Sequence, residues 1–231
     1  MNTINRVKSI SIWIFIVPFF AINTCLILIT NFHELFPNKE HIIHNTIPYI
    51  DGGASISRTA RVFPTYLIFK PAMFLTAYLL IRYWLYIKKI ILNIHGEHKS
   101  LSKILIFGIG SAICLIIHSI FLGIKFDYDL YKLFRRVIML FFIIFEVMAQ
   151  AYLVITLYSI KNKLLSFINL KFLKLKAILV SILVFVMIVS IPIVSMPGNK
   201  HLKHALEWDF FLGVIIFYVL TFFMWKKKII N

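Results

Sequence analysis

The feature that most constrains the fold of this chain is a series of six apolar stretches, each about 20 residues long. An α-helix of that length crosses the hydrocarbon core of a bilayer, because each residue advances the helix by about 1.5 Å and the core is about 30 Å thick. The stretches cover approximately residues 10–29, 63–87, 101–124, 137–160, 177–195 and 206–225. We therefore predict an all-α, polytopic membrane protein, in which residues 1–231 form a single domain built as a bundle of six transmembrane helices.

Composition and charge argue against a soluble protein and against a nucleic-acid-binding protein. Apolar residues make up 61% of the chain and charged residues 15%, which is far from the average of soluble domains. Once six spans are assigned, no connection is long enough to hold a soluble catalytic domain. The formal charge of +16 does not indicate nucleic-acid binding, because the basic residues adjoin the ends of the apolar stretches. We expect membrane lipids, including anionic ones, and protein partners within the membrane.

The basic residues also predict how the chain is oriented. The first stretch lacks the short core and small-residue cleavage site of a secretory signal, so we expect it to be a retained helix. If the amino terminus is cytoplasmic, most of the 25 lysines and arginines fall on the cytoplasmic side, as the positive-inside rule requires, and both termini lie there. The connection with Lys125, Lys132, Arg135 and Arg136 opposes this topology, because it places these charges outside. The predicted cytoplasmic charges are Arg6, Lys8, Arg82, Lys88, Lys89, Lys99, Lys103, Lys161, Lys163, Lys171, Lys174, Lys176, Lys226, Lys227 and Lys228.

Two ionisable side chains fall inside predicted spans. Glu146 lies midway through the fourth span with Gln150 one turn later on the same face, and Lys70 lies about two turns into the second span. A charge at the bilayer centre costs about 2.5–3.5 kcal/mol on insertion scales, so an ion pair between Lys70 and Glu146 would lower the cost of both. Such a pair is either a proton or substrate site or a structural contact. Alternatively, Lys70 extends to the outer interface and Glu146 is protonated.

Histidines are the remaining candidates for chemistry. His118, in the third span, is interpreted first as a packed side chain and second as a ligand. Two His-x-x-His spacings occur on the predicted outer side, His41 with His44 and His201 with His204. Neutral imidazoles three residues apart suit zinc if they share a helix face. Because nothing in the sequence brings these loops together, we expect neither a metal nor a cofactor.

The first outer loop and the absence of catalytic motifs complete the residue-level interpretation. Pro48 and the pair Gly52 and Gly53 predict a compact turn around Asp51, since proline fixes one dihedral angle and glycine permits positive φ. The chain has no Gly-x-Ser-x-Gly, no phosphate-binding glycine loop and no His-Glu-x-x-His. We therefore assign no catalytic residue. An intramembrane enzyme remains open, with a site assembled from Lys70, His118, Glu207 and Asp209.

Three stretches resemble the damage-regulated autophagy modulator (DRAM) family of six-span membrane proteins, which is grouped with FGF-receptor-activating and GPI-anchor-remodelling proteins. The first is similar to the family's Pro-Tyr-Ile-Ser-Asp-x-Gly motif, the second to its Val-Arg-Tyr, and the third to its Cys-Glu-Trp and Tyr-Phe-Leu-Thr-Phe. The first stretch is Ile47-Pro48-Tyr49-Ile50-Asp51-Gly52-Gly53, and the second is Ile81-Arg82-Tyr83. The third consists of Ala205-Leu206-Glu207-Trp208 together with Phe217-Tyr218-Val219-Leu220-Thr221-Phe222. Their order and spacing extend the resemblance over nearly the whole chain. One departure is the family's Val-His pair at the fourth span, where this chain has Tyr131 and Lys132.

The resemblance implies a multi-pass protein of endomembranes, the lysosome or the plasma membrane, and no established catalytic residue. Our first hypothesis is a non-enzymatic protein of autophagy or membrane lipid organisation, whose outer loop and last helix form a recognition face. In it, Glu207 hydrogen-bonds the Asp51 turn or pairs with Arg58 or Arg61. The alternatives are an enzyme or accessory factor that remodels lipid or GPI anchors, and a small transporter that uses Lys70 and Glu146. The candidate binding residues are Asp51, Gly52, Lys70, His118, Glu146, Glu207 and Trp208.

Overall fold

The computed structural model of the protein describes residues 3–124, 126, 128–195 and 198–226. Lys125, Lys227 and Lys228, which entered the topology prediction, lie outside these residues. The described part of the chain contains no β-strand, and its one strand-like contact is an isolated bridge between Ile168 and Trp225. Its helices are α1 Thr3–Asn31, α2 Pro48–Asp51, α3 Ile56–Ala60, α4 Thr65–His95, α5 Leu101–Phe121, α6 Asp129–Ser159, α7 Lys161–Leu164, α8 Leu170–Ser195 and α9 Lys200–Met224.

The six long helices correspond one to one with the six apolar stretches, and most of them run past the predicted ends into polar sequence. The prediction of an all-α protein is confirmed. Within the described residues, five of these helices are long and apolar enough to cross a membrane: α1, α5, α6, α8 up to Ser190, and α9. The sixth, α4, is as long as α6 but carries Lys70, Arg82, Lys88 and Lys89 and several tyrosines, which lower its apolarity.

The long helices form a closed ring in chain order. α1 packs against α4, α4 against α5, α5 against α6, α6 against α8, and α8 against α9, which returns to α1. Small residues permit the closest of these contacts. A Cβ on Gly108 of α5 would come within 2.5 Å of the Trp84 ring of α4, so the missing side chain at Gly108 lets α5 pack closely on α4.

Contacts between segments distant in the chain show that α1 runs antiparallel to α4 and to α9. At one end, which we name the Lys8 end, Lys8 Nζ donates to the Trp225 carbonyl oxygen at 2.6 Å and Arg6 donates to Tyr86 Oη at 3.4 Å. The start of α1 therefore lies beside the last turns of α4 and α9. At the other end, which we name the Asp51 end, residues 32–64 close over the ends of the helices. This loop is anchored by apolar contacts of Ile29, Phe36, Ile43 and Ala54.

Candidate functional site

The centre of the ring holds a cluster of polar side chains around Glu146, whose side chain is 1% exposed. Ser111 Oγ of α5 donates to Glu146 Oε2 at 2.7 Å, and Gln150 Nε2 donates to Glu146 Oε1 at 3.0 Å. The Tyr218 hydroxyl of α9 makes a short hydrogen bond to the same Oε1. Donors from three helices thus meet at one carboxyl group. The predicted shared face of Glu146 and Gln150 is confirmed, whereas Ser111 and Tyr218 were not predicted as partners.

An apolar cavity of about 120 Å³ lies between this cluster and the Asp51 end. It is lined by residues of α1, α3, α4, α5, α6 and α9, among them Phe69, Met73 and Ile143. Besides Ser57, Thr76 and Tyr218, its polar lining consists of Glu146, His118 and Glu207. His118 is buried and its Nδ1 has no hydrogen-bond partner in the described residues. A wall of this composition suits an apolar ligand with one hydrogen-bonding group.

A second polar group lies on the other side of Glu146, toward the Lys8 end. Lys176 of α8 is fully buried, and its Nζ donates to Thr221 Oγ1 at 2.7 Å and lies 3.7 Å from the centre of the Phe217 ring. Thr221 Oγ1 is also 3.4 Å from Tyr83 Oη, and the Tyr83 and Tyr218 rings meet edge to face at 5.0 Å. Polar side chains therefore continue through the ring from Glu146 to Lys176.

The sequence placed Lys176 among the cytoplasmic charges that flank the spans, whereas the structure buries its side chain inside the bundle. The spacing of residues along α8 could have shown that Lys176 is buried. Leu173, Lys176 and Val180 follow the three-and-four spacing of one buried face, whereas Lys171 and Lys174 are exposed. The position of Lys176 just before the predicted span concealed this, because lysines that flank a span normally reach the interface.

The first loop and the start of α9 form one packed unit, which we name the loop–α9 unit. Trp208 is fully buried, donates from Nε1 to the Ala54 carbonyl oxygen at 2.8 Å, and contacts the Tyr49 ring edge to face at 4.9 Å. His204 Nδ1 lies 2.9 Å from the Gly52 carbonyl oxygen, and His201 Nδ1 lies 3.2 Å from that of Asp51. Two candidate stretches far apart in the sequence therefore meet.

The Asp51 turn has the predicted geometry. Gly52 ends α2 with φ 61°, in the left-handed region, and a Cβ there would overlap the His201 carbonyl group. The Asp51 carboxylate accepts hydrogen bonds from Thr46 Oγ1, the Ile47 N–H and the Gly53 N–H at 2.7–2.8 Å. The Thr46 hydroxyl, followed by the two backbone N–H groups, lowers the pKa of Asp51 below its ordinary value.

Glu207 has other partners than those predicted. Its carboxyl group faces the backbone N–H groups of Ser57 and Ile56 at the start of α3, and no hydrogen bond among the described residues joins it to the Asp51 turn. It makes no ion pair with Arg58 or Arg61, since Lys132 and Asp129 at 3.1 Å form the one salt bridge in the described residues. Glu207 therefore joins the loop to α9 from inside the bundle.

Lys70 and Glu146 do not form the hypothesised ion pair. Lys70 Nζ donates to the Ile120 carbonyl oxygen at 3.2 Å, at the end of α5, and lies 5.8 Å from the centre of the Tyr66 ring. Its flexible side chain reaches the Asp51 end, which is the alternative that the sequence left open. Of the scattered group considered for an enzyme, His118 and Glu207 line the cavity, whereas Lys70 and the exposed Asp209 are not in its wall.

The described residues contain no group of three or more His, Cys, Asp or Glu side chains arranged to hold a metal ion. His201 and His204 both point at loop carbonyl groups, and His44 contacts His33. Comparison of the chain with protein-family models, curated proteins and solved structures finds no match. The function is therefore argued from the cavity and the groups around it.

Proposed function

We propose that this chain is a six-span membrane protein with both termini in the cytoplasm, and that it binds the apolar part of a membrane lipid in its central cavity without turning it over. The observation that carries the proposal is the cavity itself. It lies inside the ring of helices, its wall is apolar, and Glu146 and His118 supply isolated polar groups. We further propose that binding acts in membrane lipid organisation or autophagy, in an endomembrane, the lysosome or the plasma membrane, as the DRAM resemblance implies.

Cavity size limits the part of the lipid that enters. At about 120 Å³ the cavity is somewhat smaller than the roughly 150 Å³ engineered cavity that takes up benzene, so it has room for a few carbon atoms. We propose the end of an acyl chain, because the surrounding bilayer supplies this group at high concentration. Filling the cavity with such a group restores dispersion contacts that the apolar part of its wall otherwise lacks.

Packing between the resembling stretches supports the same proposal. The stretch around Asp51 contacts Trp208 through Tyr49, and Tyr83 contacts Tyr218 and Thr221. Each stretch that carries the resemblance therefore touches α9, which forms one wall of the cavity. Cooperation of the first loop with the last helix is what a recognition face requires.

The test places a photoreactive diazirine at the end of a lipid acyl chain in nanodiscs that contain the protein, and locates the adducts by mass spectrometry. We expect adducts on cavity residues of α6, including Met139 and Ile143. Ile143→Trp fills the cavity and should remove these adducts. Ile155 lies on the same helix but is 59% exposed, so Ile155→Trp should leave the adducts in place. Adducts restricted to outward-facing residues in the wild type would refute the proposal.

A second candidate is a lipid- or GPI-anchor-remodelling enzyme. It is favoured by one observation: Glu146 and His118 face the same cavity, which places a carboxyl group and an imidazole where they could exchange protons with one substrate. Its test is a mass-spectrometric comparison of membrane lipids and GPI-anchor acyl chains in cells with and without the protein. A change of acyl chains that wild type restores and Glu146→Gln does not would establish the enzyme. Unchanged lipids would remove it and leave the binding protein.

A further inference from the structure

A second cavity, of about 370 Å³, opens at the Asp51 end. It lies between the first loop, the turn after α3, the end of α5 and the second turn of α6. Two arginines, Arg61 and Arg135, line it together with the side chains of Asn38 and His41. The rest of its wall is formed by Phe36, Pro37, Val62, Phe63, Gly123 and Ile124. This cavity shares no lining residue with the central one.

Both guanidinium groups have unused donors. Arg135 Nε is buried and has no hydrogen-bond partner, although its guanidinium lies 5.9 Å from the centre of the Tyr131 ring. Arg61 makes no hydrogen bond or ion pair with any of the described residues. Arg61 is exposed, so water can satisfy its donors, but the buried Arg135 Nε has no such replacement. Buried guanidinium N–H groups in native proteins are nearly always paired, so this unpaired donor at a cavity wall indicates that an acceptor from outside belongs there.

The positive charges at this site lack a carboxylate among the described residues. Asp129 pairs with Lys132, and Glu40 lies beside Asn38 at 3.5 Å but does not line the cavity. Partial burial, followed by the positive charges of Arg135 and Arg58, lowers the pKa of Arg61. Two like charges held together cost free energy unless an anion lies between them.

We propose that Arg61 and Arg135 bind a phosphate group, with Asn38 and His41 as further donors. The planar guanidinium offers paired N–H donors that match two phosphate oxygens, and two such groups suit one phosphate better than one carboxylate. The phosphate belongs either to the headgroup of an anionic lipid or to a small soluble ester. Phe63, which is 50% exposed, and Ile124 give the cavity an apolar rim. The rim lies beside the end of α5 and the start of α6, and both of these helices are long and apolar enough to cross a membrane.

This site accounts for one charge of the basic connection that opposed the topology prediction. Arg135 lies in that connection, and a charge that serves to bind a ligand does not have to follow the positive-inside bias. The inference is independent of the central cavity, because either site can be filled while the other is empty.

The experiment measures phosphate binding to the full-length protein with two kinds of probe. The protein is placed in phosphatidylcholine nanodiscs that contain about 10% of either phosphatidic acid or phosphatidylserine, two anionic lipids of roughly similar charge. Native mass spectrometry then measures how much of each anionic lipid stays bound to the protein. Inorganic phosphate and glycerol 3-phosphate are titrated in detergent. The variants are Arg61→Gln with Arg135→Gln, the single Arg135→Lys, and Arg136→Gln as a matched control on an exposed neighbour outside the cavity.

We expect the double variant to bind the phosphate probe about tenfold or more weakly, since it loses several charge-assisted hydrogen bonds. Arg135→Lys should lose part of the affinity because it keeps the charge but not the paired donors, and Arg136→Gln should match wild type. If the protein retains phosphatidic acid and soluble phosphate does not displace it, the site binds a lipid headgroup. If soluble phosphate displaces the lipid at a concentration similar to that of the lipid, the site binds a soluble ester. Equal binding of every probe by wild type, the double variant and Arg135→Lys, all with unchanged melting temperatures, overturns the proposal.

Discussion

Two carboxyl groups in this protein each accept three hydrogen bonds, yet they are held in opposite ways. Asp51 is exposed and takes all three donors from within a span of eight residues, Thr46 to Gly53. Glu146 is buried and takes its donors from three different helices, with Ser111 35 and Tyr218 72 positions away in the chain. The first arrangement is a turn that the local chain builds for itself. The second exists only after the ring of helices has assembled.

The difference shows where this fold is sensitive to change. Removing one donor from an exposed carboxylate such as that of Asp51 costs little stability, because a water molecule replaces the donor. A buried carboxyl group has no such replacement, and each missing partner leaves the cost of desolvation uncompensated. The Asp51 turn becomes critical where it touches α9, as it does at Gly52.

The largest expected effect is that of Gly52→Ala. The new Cβ would overlap the His201 carbonyl group at a positive φ, which costs about 3 kcal/mol or more and should separate the loop from α9. The measurement is the rate of limited proteolysis within residues 32–64 together with the melting temperature in detergent. Gly96→Ala is the control, because Gly96 also has positive φ (86°) but a Cβ there meets no atom within 4 Å. If both variants expose the loop equally, the docking of Asp51 on α9 is not what positions it.

An intermediate effect is expected for Tyr218→Phe. The change removes one of the three donors to Glu146 without altering the packing of the ring, and should destabilise the bundle by about 1–2 kcal/mol. Denaturant unfolding in mixed micelles measures it. Tyr152→Phe is the matched control, since no hydrogen bond of the Tyr152 hydroxyl occurs in the described residues. An equal loss in both variants would mean that the Glu146 cluster contributes nothing beyond packing.

The smallest expected effect is a pH dependence that comes from Asp51. Its pKa is lower in the folded protein than in the unfolded chain, so its stabilising contribution is present above the unfolded value of about 3.9 and is lost as pH falls through the folded value. Melting temperature should therefore decrease more steeply below about pH 4 in wild type than in Asp51→Asn. Parallel curves for the two proteins would show that the turn does not depend on the ionised carboxylate.

The sequence predicted the features that depend on local geometry. Six apolar stretches of bilayer length became the six long helices, Gly52 adopts the positive φ that the turn requires, and Gln150 lies one turn from Glu146 and bonds to it. These results follow from the helical repeat and from the steric freedom of glycine, which operate over a few residues.

Tertiary structure alone decided which distant groups meet. Every long helix presents similar apolar side chains, so the sequence does not say which neighbour each face contacts, and the hypothesised partnership of Lys70 with Glu146 was wrong for that reason. Lys70 has a side chain long enough to reach the end of α5, whereas Lys176 is enclosed between α8 and α9 and bonds to Thr221. Local periodicity fixes each helix and its polar face; the closing of the ring fixes the partners, because a buried polar group takes the nearest donor that packing brings to it.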